Sequence, residues 1–469
     1  GQADYSSADI NAALSLESDD ADLLIKGYRF RTNLDLGLKI SGGVSESATV
    51  DVSGTHLRLY EARLASAAGK SAKPWRAELS IERGRIGVEV PEGAAEGAGF
   101  RRLSETLKER GLKSLLSTSD ARLEATLDVS DLGWINLLFR NPFELTVSGS
   151  GIVNADLQVR QGWLAEGTRL RARPRGLRVQ VLDYEAQGGG EVVMTVERGG
   201  EAPDMRLKTR LEDAWLRRRG EKDTFVEQVS LEVSALARGV ALKGGGSVGA
   251  LDLRIPSARV RDMSVYNGYL PKDSPLRLLA GEADLTADVH LEPDSAGGFV
   301  KLETTGFRSL LDEQEVSGEL ALHVNLRDGV PRDMAFDISG SSLMLEGFRV
   351  RGEQTSYDRP GWRARFDLRK GQVVWVKPPR LDVRADVEMN DSRPIVALFA
   401  NQRGKHGWLE KMLTVQDIRG SASLEVGSGR ALVPRALVGS DKIDVGAKGF
   451  IDSATREGMF YARFRKLHG

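Results

Sequence analysis

Ala283-Asp284-Leu285-Thr286-Ala287-Asp288-Val289-His290-Leu291-Glu292 alternates apolar and polar residues without a slip. A two-residue period puts every second side chain on one face of a β-strand. One face is therefore Ala283, Leu285, Ala287, Val289 and Leu291, and the other carries charge. The turn residues from Pro293 to Gly298 follow, then a shorter run at Val300, Leu302 and Thr304. The period returns at Leu320, Leu322, Val324 and Leu326, and it appears upstream at Val153, Ala155, Leu157 and Val159. Most of the chain repeats this pattern between Gly-rich turns, which predicts an all-β fold. The expected form is a long, curved, mostly antiparallel sheet with an elongated apolar groove and a few short amphipathic helices.

Three segments are expected: an N-terminal β segment over 1–97, an amphipathic helix over 98–118, and an extended repetitive β segment over 119–469. The helix rests on Phe100, Leu103, Leu107, Leu112, Leu115 and Leu116, spaced at three to five residues. Three further apolar insertions interrupt the strands. Asp131 to Phe139 reads as a short helix with Ser130 as its N-cap, Ser264 to Pro271 as a non-strand insertion, and Ile395 to Leu413 as a helical one. Trp75 to Ile81 and Ile86 to Val90 have the spacing of a hairpin across Glu82-Arg83-Gly84-Arg85. Gly188-Gly189-Gly190 and Gly244-Gly245-Gly246 read as turns, since neither precedes the Lys-Ser/Thr of a phosphate loop. Strand spacing is irregular, and no fixed repeat period is evident.

Composition removes several classes of function. Lys plus Arg is 66 against 67 for Asp plus Glu, so the long-range positive field that nucleic-acid binding needs is missing. With no Cys there is no thiolate metal site, disulfide or cysteine nucleophile. Aromatics are only 6% of the chain, so the apolar face is a smooth one of Ala, Val, Leu and Ile. The five His are scattered; His290 and His323 fall on the polar faces of their strands and meet only if those strands pair. No cofactor motif and no concentrated catalytic constellation is found, so the expectation is a non-enzyme. Arg171-Ala172-Arg173-Pro174-Arg175 and Arg217-Arg218-Arg219 are the basic clusters, read as a solvated rim or as contacts for acidic lipid headgroups.

Strands with one apolar face must cover it. A second sheet does so in a sandwich; in an open, curved sheet acyl chains or short helices can. Gly340-Ser341-Ser342-Leu343-Met344-Leu345, the segment from Leu270-Pro271 and Ser274-Pro275-Leu276 to Ala280-Gly281-Glu282-Ala283-Asp284-Leu285, and Gly429-Arg430-Ala431-Leu432 with Gly446 to Asp452 resemble segments of the AsmA-like family, TamB and its relatives. The resemblance implies a groove carrying phospholipid between the inner and outer membranes of a Gram-negative envelope. It also implies periplasmic localisation and an inner-membrane anchor in a longer protein, of which this chain, opening at Gly1, is expected to be a piece. The partners expected are phospholipid and inner- or outer-membrane proteins, with no nucleic acid. Leu285, Ala287, Val289, Leu291, Leu320, Leu322, Val324, Leu326, Val153, Ala155, Leu157 and Val159 are the expected lipid-contacting residues. The alternative from another class is an assembly scaffold of packed β-sandwiches serving outer-membrane proteins.

Overall fold

The computed structural model describes residues 2–5, 10–25, 28–41, 49–64, 75–88, 119–221, 226–240, 246–270, 274, 276–311, 314–352, 356–358, 361–376, 379–393, 415–427, 430–441, 443–451 and 456–465. The expected helix over 98–118 lies outside them, as does the third insertion over 395–413. The first strands are β1 (Gln2–Tyr5), β2 (Ile10–Ile25), β3 (Tyr28–Ile40), β4 (Thr49–Asp51), β5 (His56–Leu64), β6 (Trp75–Val88), β7 (Ser119–Val129), β8 (Phe139–Arg140) and β9 (Thr146–Arg160). Then come β10 (Trp163–Leu164), β11 (Arg169–Ala172), β12 (Arg175–Val181), β13 (Tyr184–Arg198), β14 (Asp204–Arg218), β15 (Val226–Arg238), β16 (Gly246–Val260), β17 (Leu276–Leu291), β18 (Ala296–Leu311) and β19 (Gln314–Val330). The last are β20 (Ala335–Asp337), β21 (Ser342–Arg351), β22 (Ser356–Asp358), β23 (Arg363–Val374), β24 (Arg380–Asp391), β25 (Gln416–Gly427), β26 (Arg430–Gly439), β27 (Ile443–Ile451) and β28 (Arg456–Phe464). The fold is all-β.

The chain divides into two compact units, residues 1–212 with 232–251 and residues 213–231 with 252–469. In the first, antiparallel pairing passes from β1 through β2, β3, β5, β6 and β7 to β9, and on through β11 and β12 to β13. In the second it passes from β17 through β18, β19, β21, β23, β24, β25, β26 and β27 to β28. Each is a meander in which sequence neighbours become spatial neighbours, the connection rule for antiparallel sheets. Leu57 pairs with Leu79 in the first half of β6 while Val50 pairs with Ile86 in the second, so Glu82 to Arg85 is not a hairpin turn. β6 is one strand with a register shift between Ile81 and Arg83 against β7, a bulge that absorbs the break in alternation. Gly188 to Gly190 is likewise no turn but the middle of β13, where Gly188 faces Leu177. A Cβ at Gly190 would strike the Arg210 carbonyl, so these glycines mark a close strand approach.

An internal repeat emerges from the hydrogen bonds. In Asp51-Val52-Ser53-Gly54-Thr55 and Asp337-Ile338-Ser339-Gly340-Ser341, the Asp carboxylate accepts from the Ser amide two residues on, at 2.8 and 2.7 Å. The Ser hydroxyl accepts from the amide of Gly84 or Gly371, at 3.0 and 3.1 Å. Val52 and Ile338 donate to the carbonyls of those same glycines. Ala165-Glu166-Gly167-Thr168 copies the second half of the device: the hydroxyls of Thr55, Thr168 and Ser341 accept from the amides of Lys39, Gln158 and Asn325. All three hydroxyls are buried yet satisfied.

The apolar insertions repeat as well. The 3-10 helix Leu132–Leu137 is capped by Asp131, which accepts from the Gly133 amide, and the 3-10 helix Met263–Tyr269 by Asp262, which accepts from the Ser264 amide. Ser130 is therefore not the cap; its hydroxyl accepts from the Arg76 amide. A carboxylate suits this place because it accepts the orphan N–H groups at a helix start. Asn136 then clamps Val147, donating to its carbonyl and accepting from its amide at 2.9 Å each. Asn267 clamps Leu278 in the same way at 2.8 and 2.7 Å. Asp391, at the end of β24, accepts from the Arg393 amide at 3.0 Å. Burial pushes the Asp391 carboxyl up, and its bonds to Arg393 and Tyr357 more than reverse that.

Replacing Asn267 by Ala strips a donor and an acceptor from one backbone position at once. Asn267→Ala is expected to destabilise the second unit by about 2 kcal/mol, with Asn267→Asp little better because it cannot donate to the Leu278 carbonyl. Urea denaturation followed by circular dichroism checks this. A midpoint unchanged in both variants would mean that the clamp is incidental.

Candidate functional site

Pairing turns the alternation of single strands into rows that cross the sheet. In the second unit Leu285 pairs with Leu302, Leu302 with Leu322, Leu322 with Leu343, Leu343 with Phe366 and Phe366 with Val387. The row continues through Gly420, Val438, Val445 and Ala462, so ten strands are crossed without one polar side chain. The row one residue earlier in β17 is its opposite: Asp284, Glu303, Ala321, Met344, Arg365, Glu388, Arg419, Gly439, Asp444 and Arg463. Directly opposed residues share a face, so the sheet has one apolar face and one charged face across its whole width. On the charged face Arg365, Glu388, Arg419, Asp444 and Arg463 alternate in sign, whereas Asp284 and Glu303 are like charges directly opposed; Arg419 lies 3.5 Å from Glu388 and Arg465 2.6 Å from Asp444.

The expected contact residues fall on this pattern. Leu285, Ala287 and Val289 of β17 and Leu322, Val324 and Leu326 of β19 are joined through Leu302, Val300 and Gly298 of β18. Leu291 closes the β17 end against Ala296, and Leu320 pairs with Leu345. β18 is thus the missing rung. Its run at Val300 and Leu302 is legible, but too short to declare that it lies between the other two. Phe366 and Val387 belong to the same row, which only the register reveals.

Val153, Ala155, Leu157 and Val159 sit in the first unit on a row of their own kind. Leu16, Leu36, Leu57, Leu79, Leu127, Val153, Ala172 and Val192 pair in succession. Its companion on the charged face runs Glu17, Asp35, Arg58, Glu78, Asp128, Ile152. Arg58 lies 3.3 Å from Asp35 and 2.7 Å from Glu78 there.

Burial distinguishes parts of these faces. Leu16 is 48% exposed, Leu36, Leu57, Leu79 and Leu127 are half-buried, and Val153, Ala172 and Val192 are buried. In the second unit Leu285, Leu302, Leu322, Leu343 and Phe366 are half-buried, whereas Ala287 and Leu291 are buried. A sandwich core would bury such a row throughout. Leaving about a quarter of a Leu side chain wet forfeits roughly 0.5 kcal/mol, so the row as a whole gives up a few kcal/mol.

The helix Met263–Tyr269 docks on the apolar face. Gly281 lies on that face of β17, at a φ of 133° that favours glycine; a Cβ there would come 2.9 Å from the Phe307 Cα and 3.4 Å from the Met263 Cγ. The far end of the same helix meets β23, Tyr269 stacking on Trp375 with ring centroids 5.6 Å apart. The insertion therefore reaches from the start of β17 to the residue that follows β23.

His290 and His323 do not meet, because β18 lies between their strands. His290 Nδ1 is 2.6 Å from Asp252 and its Nε2 3.6 Å from Glu292, while the His323 ring meets Phe299 edge-on. Among the described residues no group of three His, Asp or Glu stands where it could hold a metal ion, and no helix is long and apolar enough to cross a membrane. No protein-family model, curated protein or solved structure matches the chain.

The hydrogen bond to Asp252 raises the His290 pKa above 6.5, with Glu292 adding to it. A raised folded-state value means stability that is full below the unfolded value near 6.5 and lost as pH rises through the folded one. Both side chains are about half exposed, which limits the effect to a few tenths of a kcal/mol. Thermal midpoints above pH 6.5 should fall slightly more in the parent than in His290→Gln. Parallel curves would show that the pair contributes nothing.

Proposed function

We propose that the chain is a non-enzymatic conduit for phospholipid, its apolar face holding acyl chains while headgroups stay at the wet margin. The observation that carries this reading is the unbroken apolar row from Leu285 to Ala462, half-buried along much of its length. Ten strands about 4.8 Å apart span roughly 43 Å. An acyl chain is about 15 Å long, half of a bilayer hydrocarbon core, so the face accommodates chains in succession. The row is aliphatic apart from Phe366 and has no polar side chain to fix one ligand, which suits disordered chains that move along it.

The resemblance of the Gly340 to Leu345, Ala280 to Leu285 and Gly446 to Asp452 stretches to the AsmA-like family agrees with this reading. It would place the protein in the periplasm of a Gram-negative bacterium, with an inner-membrane anchor belonging to a longer chain and membrane proteins at the ends of the path. A scaffold of closed sandwiches accords less well with half-buried Leu322 and Val324.

Charging the face tests the proposal. Leu322→Asp with Val324→Asp puts two carboxylates where acyl chains would lie, at a cost of several kcal/mol to any lipid-filled state. Native mass spectrometry of the parent purified from cells should show bound phospholipid. The double variant should be soluble, have parental circular dichroism and be free of lipid, and His323→Asp on the other face should retain it. A parent that is lipid-free and takes none from vesicles, with an unfolded double variant, would mean a closed core instead.

A further inference from the structure

The charged face of the first unit contains a concavity of about 880 Å³, lined by Arg58, Arg76, Arg171, Arg173 and Arg175. Register explains the convergence. Arg58, Glu78, Asp128 and Ile152 form one cross-strand row, and Asn154, two residues beyond Ile152, pairs with Arg171. The break between β11 and β12 at Arg173-Pro174 then adds Arg173 and Arg175 to the same rim.

The carboxylates present do not compensate these cations evenly. Arg58 is held by Asp35 and Glu78, and Arg171 and Arg173 share the single carboxylate of Glu191, at 2.5 and 3.2 Å. Arg76 and Arg175 are exposed, and their guanidinium groups have no partner among the described residues. Glu78 and Asp128 also line the hollow, which limits its net field but leaves its Arg175 side positive. Tyr60, 42% exposed, and Ile152, 53% exposed, add an apolar floor.

A hollow of this volume is in the range of small-ligand sites, between roughly 300 and 1,000 Å³. Planar guanidinium forks match the oxygen geometry of phosphate, and an apolar floor suits the organic part of a phosphate ester. We propose that this concavity binds a phosphate-bearing group, with Arg76 and Arg175 as its principal ligands and the Arg171–Arg173 pair beside them. The site is on the face opposite the apolar rows, so it stands apart from the acyl path and does not rest on it.

Calorimetric titration of the full chain with inorganic phosphate, beside co-sedimentation with phosphatidylcholine vesicles with and without phosphatidylglycerol, tests the site and identifies its source. Removing two charge-assisted partners should weaken binding about tenfold or more in Arg76→Ala with Arg175→Ala. The paired Lys variant should keep part of it, and Arg254→Ala, an exposed change in the other unit, should keep all. Both replaced side chains are exposed, and unchanged circular dichroism confirms the fold. Phosphate binding lost in the Ala pair indicates a soluble phosphate ester; loss confined to the anionic vesicles indicates a lipid headgroup. No binding of either probe by the parent, an Ala pair that binds like the parent, or an equal loss in Arg254→Ala overturns the proposal.

Discussion

Register is the constraint on which this molecule depends. Side chains alternate with a period of two, so a slip of one residue between any two strands would carry Asp284 or Glu303 onto the face of Leu285 and Leu302. Each long antiparallel pairing must therefore keep a single alignment, and in a meander an error at one strand would pass to the next. The apolar row enforces alignment by burial where it is covered. Where it is only half-covered, that drive is weaker.

Polar devices fix alignment as well. The Ser and Thr hydroxyls of the three Gly-containing turns bind the backbone of the preceding or following strand, which fixes where an interrupted strand resumes. Asn136 and Asn267 pin the starts of β9 and β17 by occupying both backbone groups of one residue. These bonds contribute little net energy when formed but are expensive to leave unmade in a partly buried place. They specify position more than they add stability.

The charged face is only partly matched in sign. Ions of opposite sign meet across strands at Asp35, Arg58 and Glu78, while Glu17 with Asp35 and Asp284 with Glu303 oppose like charges. Exposed pairs are weak individually. In rows they line the face opposite the apolar one. The arginine-lined hollow occurs where this balance of signs fails, at Arg76 and Arg175.

The sequence by itself determined the all-β class, the apolar and charged faces of individual strands and the places of the insertions near 131 and 264, because a side-chain period is a local property. It suggested false turns at Glu82 to Arg85 and Gly188 to Gly190, since a bulge and a close strand approach use the same residue types as a turn. It concealed the repeat, because the Gly-containing turns and capped helices recur at unequal distances and depend on single Asp, Asn, Ser or Thr residues. Only the tertiary structure decided that β18 links Leu285 to Leu322, that Phe366 and Val387 extend their row, and that Arg58, Arg76 and Arg175 share one hollow. Those facts belong to register, which is set by pairing between residues far apart in the chain and is invisible to any local period.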